Sequence, residues 1–171
     1  ITPQSTFSDR GGFTVGNFTV HNDEEEVTGT QDLAGAFALS SNVDFAQIAL
    51  KIGVDTWYEY AARWGLGQSV EFDLAVTHDR LPPKKDVYAG ILAQLGFGQA
   101  SLLVTPMRMG LIGATIAHDG TTPRPYLVRR IAGSETGLAT RPETIAQPIS
   151  PETAHEVRDL MVQVVKRGTG T

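Results

Sequence analysis

The sequence contains no cysteine among its 171 residues. This excludes disulfide bonds, metal–thiolate sites and a cysteine nucleophile, but it does not identify the compartment in which the protein works. No apolar run approaches the roughly 20 residues of a membrane-spanning helix, and no signal peptide is recognisable. The net charge of −5 and the lack of a basic cluster argue against nucleic acid as the main partner.

Motifs of several self-contained active sites are missing as well. The glycine-rich segment Gly96–Gln99 is not a phosphate-binding loop, because neither Gly-x-Gly-x-x-Gly nor Gly-Lys-Ser/Thr is present. A Ser-His-Asp hydrolase is a poor interpretation, because no Gly-x-Ser-x-Gly motif accompanies the four histidines. The acidic run from His21 to Glu26 lacks the alternating ligands and glycine turn of a calcium loop, so we interpret it as a solvated surface loop rather than a cation site.

Hydrophobic residues make up 41% of the chain, which is enough for a domain with a real core. Apolar periodicity and turn residues predict both helices and short strands. The predicted elements are strands around the Gly16-Asn17 turn, helix over 31–65 with an interruption near Ser40 and a stop at Gly53, a short helix over 86–93, a deeply buried helix from Thr105-Pro106 to Asp119, a β-like run over 126–131, a loop or weak extended segment over 133–147, and a last helix opened by Ser150-Pro151.

Small polar residues stand between two apolar, helix-prone runs, in Leu39-Ser40-Ser41-Asn42-Val43. Serine and asparagine at a helix start are usually caps, whose oxygen atoms accept hydrogen bonds from the first free N–H groups. A turn between two buried helices also holds polar side chains rigidly, and Ser40 and Asn42, two residues apart, can project into one cleft. The local sequence supports both interpretations.

A wider pattern favours the second interpretation. Ser40-Ser41-Asn42 resembles the Ser-x-Asn motif of penicillin-binding transpeptidases, and three further segments are similar to that family in the family's order. These segments are Gly98–Met109, which resembles the approach to a core helix; Ala114-Thr115-Ile116-Ala117-His118-Asp119-Gly120, which resembles that helix's end; and Val164–Thr171, which resembles the segment ahead of the third motif. Gly16–Asn22 is similar to class B enzymes of high molecular weight, especially actinobacterial ones.

Enzymes of this kind use Ser-x-x-Lys for the nucleophile and Lys-Thr-Gly on the opposite wall of the site. Neither motif occurs in this chain. In the family, the first lies well upstream of Ser-x-Asn, and the third would begin shortly after Thr171. The chain also starts with Ile1 rather than Met. We therefore expect residues 1–171 to be part of a transpeptidase domain, cut between its first and third motifs.

The resemblance implies an α/β (α+β) fold of the penicillin-binding-protein and β-lactamase type, of which this chain supplies mostly the helical subdomain and a few short strands. It implies a proton relay for Ser40, a substrate- and lysine-binding amide for Asn42, and a tolerant middle position for Ser41 within the substrate-binding motif. Phe97 and Gln99 correspond to a loop that borders the cleft, although a glycine-rich turn packing an aromatic ring is an equal alternative. Ile1 and Thr171 are expected on the side of the Ser-Ser-Asn turn.

The implied function is cross-linking of peptidoglycan stem peptides at D-Ala-D-Ala, with β-lactams as substrate mimics and with neither metal nor organic cofactor. The parent protein would be anchored in the membrane, face outward, and work with division or elongation machinery, while this chain alone would be inactive. A catalytically silent scaffold or interaction module with the same fold is the alternative. A serine β-lactamase relative is disfavoured, because Leu-Leu-Val-Thr-Pro (102–106) and Gly-Thr-Gly-Thr (168–171) look like transpeptidase sequences.

Overall fold

The computed structural model describes residues 1–132 and 139–170. In chain order the elements are β1 (Thr6–Asp9), β2 (Phe13–Val15), β3 (Phe18–Val20), β4 (Gly29–Asp32), α1 (Leu33–Ala38), α2 (Asn42–Arg63), α3 (Ala89–Gly96), α4 (Pro106–Ala117), β5 (Thr122–Pro123), β6 (Thr144–Ala146) and α5 (Pro151–Arg167), with 3₁₀ turns at Asp23–Glu25 and Lys84–Asp86. The strands form three antiparallel pairs, β1–β4, β2–β3 and β5–β6. Within these ranges no helix is both long and apolar enough to cross a membrane.

The chain divides into two compact units. Unit 1 contains Ile1–Tyr60, Leu81–Leu102 and Val157–Thr171, and unit 2 contains Ala61–Arg80 and Leu103–Glu156. The predicted mixture of helices with a few short strands is confirmed.

The core of unit 1 forms where a hairpin meets the first turns of α2 and the middle of α3. Gly16, with φ of +61°, makes the turn between β2 and β3, as its sequence predicts. The side chains of Val20, Val43, Ala46 and Ala93 are buried together, and Phe13, Val15, Leu50 and Phe97 pack against them. This packing fixes the start of α2, and therefore the Ser-Ser-Asn turn, against β3.

The predicted helix over 31–65 is correct except at its start. Residues Gly29–Asp32 form β4, which pairs with β1 from Thr6↔Asp32 to Asp9↔Gly29. The carboxylate of Asp32 then caps α1 by accepting a hydrogen bond from Gly35 N at 2.8 Å. Gly53 interrupts α2 with φ of +81° and ψ of 163°, which confirms the predicted stop.

Unit 2 is built around α4. Thr105 caps this helix and Pro106 is its first residue, as predicted. The expected deep burial is wrong, because α4 buries only the face that carries Arg108, Leu111 and Thr115, whereas Met109 is 56% exposed. Thr115 and Thr122 share a buried hydrogen bond between their hydroxyl groups at 2.8 Å, which ties α4 to β5.

The β-like run over 126–131 is a second incorrect prediction. Among the described residues, only Arg130 of this run forms a β-bridge, an isolated one with Ala139. Two other backbone groups of the run bond to side chains that are distant in sequence: Leu127 N donates to Asp73 Oδ2 at 2.7 Å, and the carbonyl of Val128 accepts from Thr140 Oγ1. Of the loop expected over 133–147, residues 144–146 form β6, and 133–138 lie outside the described part.

The α4 cap is joined to a buried ion pair. Arg108 Nε donates to Asp79 Oδ2 at 3.0 Å, with the two side chains 7% and 1% exposed. Thr105 donates to the other carboxylate oxygen through its N–H at 2.8 Å and its hydroxyl at 3.1 Å. Burial by itself raises the pKa of Asp79, but the hydrogen bonds from Thr105 and Arg108 together outweigh it and lower the pKa.

We expect Asp79→Ala to lower the free energy of unfolding by about 3 kcal/mol at neutral pH, because it leaves a buried guanidinium unpaired. A carboxyl group whose pKa is lower in the folded protein than in the unfolded chain stabilises the folded protein at pH values above the unfolded pKa of about 3.9. This stabilisation is lost as the pH falls through the pKa of the folded protein. Urea denaturation from pH 7 to pH 3 should therefore show the two proteins converging below about pH 4. Arg124→Ala, which removes exposed ion pairs to Glu71 and Glu143, is the control and should change stability little.

Candidate active site

The Ser-Ser-Asn turn is a helix C-terminus followed directly by a helix N-terminus. Ser41 N donates to the carbonyl of Ala36 at 3.0 Å and Ser40 N donates to the carbonyl of Phe37 at 3.3 Å. This pair of bonds is the Schellman arrangement, in which the residue after the helix cap takes the left-handed conformation. That residue is Ser40, with φ of +56°. Glycine is the usual residue at such a position, because a Cβ is strained there.

Ser41 has a structural role in this turn. Its side chain is 1% exposed, accepts a hydrogen bond from Asp44 N at 3.2 Å and donates one to Asn22 Oδ1 at 3.3 Å. It is therefore a cap of α2, as the local interpretation holds for a serine at this place. The structure shows this capping role for Ser41, and its predicted part in substrate binding stays a prediction.

Ser40 and Asn42 face a common cavity, as the motif predicts. The cavity measures about 390 Å³ and lies in unit 1; its lining residues are Asn22, Asp23, Glu24, Glu26, Thr28, Leu39, Ser40, Asn42 and Thr169. Asn42 Nδ2 donates to the carbonyl of His21 at 3.1 Å. Because an amide carries two N–H donors and an acceptor oxygen, this bond orients the side chain without using all of its hydrogen-bonding capacity.

The acidic loop forms one wall of this cavity. Asp23, Glu24 and Glu26 contribute to the lining, and all three residues are exposed, as the surface-loop interpretation predicts. Within the described residues no group of three histidine or acidic side chains is placed to hold a metal ion. The wall next to Ser40 and Asn42 thus carries three acidic side chains.

Asn22 is a residue that sequence reasoning missed. Its Nδ2 donates to Asp9 Oδ2 at 2.8 Å and to the carbonyl of Glu26 at 3.0 Å, while its Oδ1 accepts from Val43 N at 3.1 Å and from Ser41 Oγ. Sequence signals for caps extend over three or four residues, whereas Asn22 bonds to α2 across 19 to 21 residues. No local pattern could have identified it.

Two buried carboxylates support the same region. Asp9 accepts from Gly11 N, Thr28 N and Thr28 Oγ1 in addition to Asn22. Burial alone raises the pKa of Asp9, but these hydrogen bonds together lower it. Burial raises the pKa of Asp44, and its one bonded oxygen, Oδ2, accepts from Gln31 Nε2 at 2.6 Å.

The C-terminal segment also borders the cavity. Thr169 lines it, and its N–H donates to the carbonyl of Ala38 at 3.2 Å, just before Ser40. A Cβ on Gly168 would overlap the Ala38 carbonyl oxygen, so only glycine allows this close approach. The C-terminal end is thus next to the Ser-Ser-Asn turn through Thr169, although Thr171 itself lies outside the described residues.

The N-terminal strand β1 is connected to the same turn through α1. Thr6 of β1 pairs with Asp32, and Asp32 caps α1, the helix that ends at the Ser-Ser-Asn turn.

Phe97 and Gln99 do not line this cavity. Phe97 packs against the core cluster of unit 1, and Gln99 N donates to the carbonyl of Gln94 at 2.9 Å in the turn after α3. The turn-and-packing alternative describes what is seen here. Their contact with a ligand stays a prediction.

The comparisons with known proteins decide the family. The family model of the penicillin-binding protein transpeptidase domain matches residues 1–171. The chain belongs to this transpeptidase family. Peptidoglycan D,D-transpeptidase PbpA of Mycolicibacterium smegmatis is 35% identical over 136 residues, which cover 78% of this chain and 27% of PbpA. The chain therefore spans little more than a quarter of that relative's length.

Solved structures of transpeptidases have the same fold. The D,D-transpeptidase domain of a peptidoglycan glycosyltransferase from Eggerthella lenta aligns with a TM-score of 0.91 and 29% identity, over 99% of this chain and 45% of that one. Penicillin-binding protein A from Mycobacterium tuberculosis, solved as an imipenem acyl-enzyme complex, aligns with a TM-score of 0.90 and 25% identity, over 99% of this chain and 40% of that one. The transpeptidase fold class predicted from the sequence is confirmed.

Ser40→Gly should raise the free energy of unfolding by roughly 1 kcal/mol, because glycine removes the strain of a left-handed serine. Ser40→Ala should stay within about 0.5 kcal/mol of wild type, because it keeps both the Cβ and the strain. Urea denaturation of the three proteins measures the difference. Equal stability of the two variants would show that the backbone at Ser40 is not strained.

Gly168→Ala should lower the free energy of unfolding by at least about 1 kcal/mol, because the new Cβ meets the backbone of Ala38. Gly113→Ala is the matched control: it lies on an open face of α4, where an added Cβ would have no neighbouring atom within 4 Å. It should raise stability by up to about 1 kcal/mol through helix propensity. A stable Gly168→Ala protein would mean that the end of α5 can move away from α1.

Proposed function

We propose that the chain is the middle part of a serine-type peptidoglycan D,D-transpeptidase of class B, the target of penicillin, and that it supplies the Ser-x-Asn wall of the active site. The observation that carries the proposal is the cavity shared by Ser40 and Asn42 beside a buried Ser41. Family membership gives this cavity a chemistry, since the Ser-x-Asn motif belongs to acyl transfer.

The proposed reaction is acyl transfer through a serine outside this chain. The serine gives its proton to the catalytic lysine as its oxygen attacks the carbonyl of the D-Ala-D-Ala bond, the peptide bond breaks, and the departing D-Ala amine takes up that proton. Ser40, which lines the cavity, would pass that proton from the catalytic lysine to the leaving group. The acyl-enzyme is then captured by the amine of a second stem peptide.

Asn42 is proposed to bind the substrate's acyl-amide carbonyl and the catalytic lysine. Its bond to the His21 carbonyl fixes the amide before substrate arrives, which reduces the entropy cost of the contact. A substrate-binding role for Phe97 and Gln99 requires the loop after α3 to reach the same ligand, and it belongs to this proposal as well.

The names of similar proteins support the substrate class. PbpA of M. smegmatis is named a peptidoglycan D,D-transpeptidase, and penicillin-binding protein A of M. tuberculosis forms acyl-enzymes with imipenem and with penicillin G. We propose β-lactams and peptidoglycan stem peptides as the ligands of this site too. A place on the outer face of the cell membrane, with an anchor outside this chain and with division or elongation proteins as partners, follows from the same proposal.

The second candidate is a catalytically silent module with the same fold, for example a scaffold. The observation that favours it is that neither Ser-x-x-Lys nor Lys-Thr-Gly occurs in the chain. In that case Ser40 and Asn42 are only parts of a helix-to-helix turn. The coding sequence on either side distinguishes the two candidates, because an enzyme needs both motifs there.

We expect the intact protein that contains this chain to be labelled covalently by a fluorescent penicillin, and the 171-residue chain alone not to be labelled. Ser40→Ala in the intact protein should slow acylation by about 100-fold, within the usual contribution of a proton-transfer group. Labelling is followed over time on a gel and confirmed by the mass of the adduct. An intact protein that carries both motifs but is not acylated would contradict the proposal, and so would labelling of this chain at Ser40.

A further inference from the structure

The amide of Asn22 connects two parts of unit 1 that are distant in sequence. On one side its N–H group donates to the buried carboxylate of Asp9 at 2.8 Å. On the other side its oxygen accepts from the backbone N–H of Val43 at 3.1 Å and from the hydroxyl of Ser41 at 3.3 Å. Ser41 and Val43 are the direct neighbours of Ser40 and Asn42, so the amide holds the turn at the two points next to the motif's functional residues.

Asp9 provides a fixed base for this connection. Its side chain is buried at the end of β1, and it is held by the N–H groups of Gly11 and Thr28 at 2.9 Å and 2.8 Å and by the Thr28 hydroxyl at 3.1 Å. Hydrogen bonds to an ionised carboxylate are about twice as strong as those between neutral groups. The position of Asn22 is therefore set by the strand pair β1–β4 rather than by the exposed loop in which it stands.

We propose that Asn22, anchored by Asp9, is a positioning residue for acyl transfer, because it fixes the turn that presents Ser40 and Asn42 to the substrate. This role rests on the proposed transpeptidase function. A displacement of about 1 Å in a reacting group can cost about 100-fold in rate. Asn22 acts through the turn, and the reacting atoms need not touch it.

Only an amide of this length satisfies both sides of the connection. Aspartate would keep the acceptor for Val43 N but lose the donor to Asp9, and it would place two carboxylates in contact. The same amide nitrogen, which carries two N–H groups, also donates to the carbonyl of Glu26 at 3.0 Å. Asn22 therefore also fixes the acidic loop against the cavity that this loop lines.

The test uses the intact protein and the variant Asn22→Asp. The matched control is Asn17→Asp, the same chemical change at an exposed asparagine in the turn between β2 and β3. For each protein we would measure the second-order rate constant of acylation by a fluorescent penicillin, corrected for the folded fraction, together with the thermal midpoint. Asn22→Asp should acylate about 10- to 100-fold more slowly than wild type, while Asn17→Asp should match wild type.

The variant Asp9→Asn breaks the same connection from its other end, because Asp9 Oδ2 accepts from Thr28 as well as from Asn22 and an amide cannot accept all of these bonds. Asp9→Asn should therefore also slow acylation per folded molecule, and the double variant with Asn22→Asp should lose less than the product of the two single losses, because both changes break one connection. If Asn22→Asp does not fold, Asp9→Asn provides the comparison with wild type and with Asn17→Asp. A loss of stability alone would not lower the rate per folded molecule.

Three results would overturn the role. These are a folded Asn22→Asp protein that acylates at the wild-type rate, a double variant whose loss equals the product of the two single losses, and an equal loss in Asn17→Asp. A wild-type protein that is not acylated at all would overturn the proposed function instead, and the positioning role would fall with it. The wild-type measurement therefore separates the two failures.

Discussion

The hydrogen bonds of one amide, that of Asn22, are the constraint on which the site depends. A buried carboxylate such as Asp9 is costly unless donors surround it, and Asn22 supplies one of the four donors that do. The same amide then satisfies Val43 N, one of the N–H groups at the start of α2 that lack a partner within the helix. Removing Asn22 would take one donor from the Asp9 carboxylate and the acceptor from Val43 N. One amide therefore stabilises both the end of β1 and the start of α2.

The backbone of Ser40 adopts the left-handed conformation, which is unfavourable for a residue with a Cβ. The Schellman turn that ends α1 favours glycine, but glycine has no hydroxyl to offer to the cavity. Non-glycine residues in the left-handed region cost of order 1–3 kcal/mol and concentrate at functional sites. The proposed proton-relay role of Ser40 accounts for a serine at φ of +56° beside the cavity, because glycine could not supply the hydroxyl group.

What could be predicted from the sequence depended on signals that act within one or two helical turns. Thr105-Pro106 starts α4 and Gly53 interrupts α2, because a cap, a fixed proline φ and a left-handed glycine act locally. The family motif predicts site roles for Ser40 and Asn42, and both residues line one cavity. The strand β4, the bonds of Asn22 and the irregular 126–131 segment depend on partners far away in sequence, and no periodicity contains that information.

The exposed apolar faces show a different limit of sequence reasoning. The apolar stripe predicted for α5 is helical, yet Val165 is 62% exposed, and on α4 Met109 is 56% exposed. Apolar periodicity predicts the face that a helix buries in its complete domain. Parts of the apolar faces of α4 and α5 are not covered by other residues of this chain. The solved E. lenta transpeptidase structure is more than twice as long as the part aligned here, since the chain covers 45% of it. The proposal that residues 1–171 are the middle of such a domain accounts for both the exposed stripes and the incomplete set of motifs.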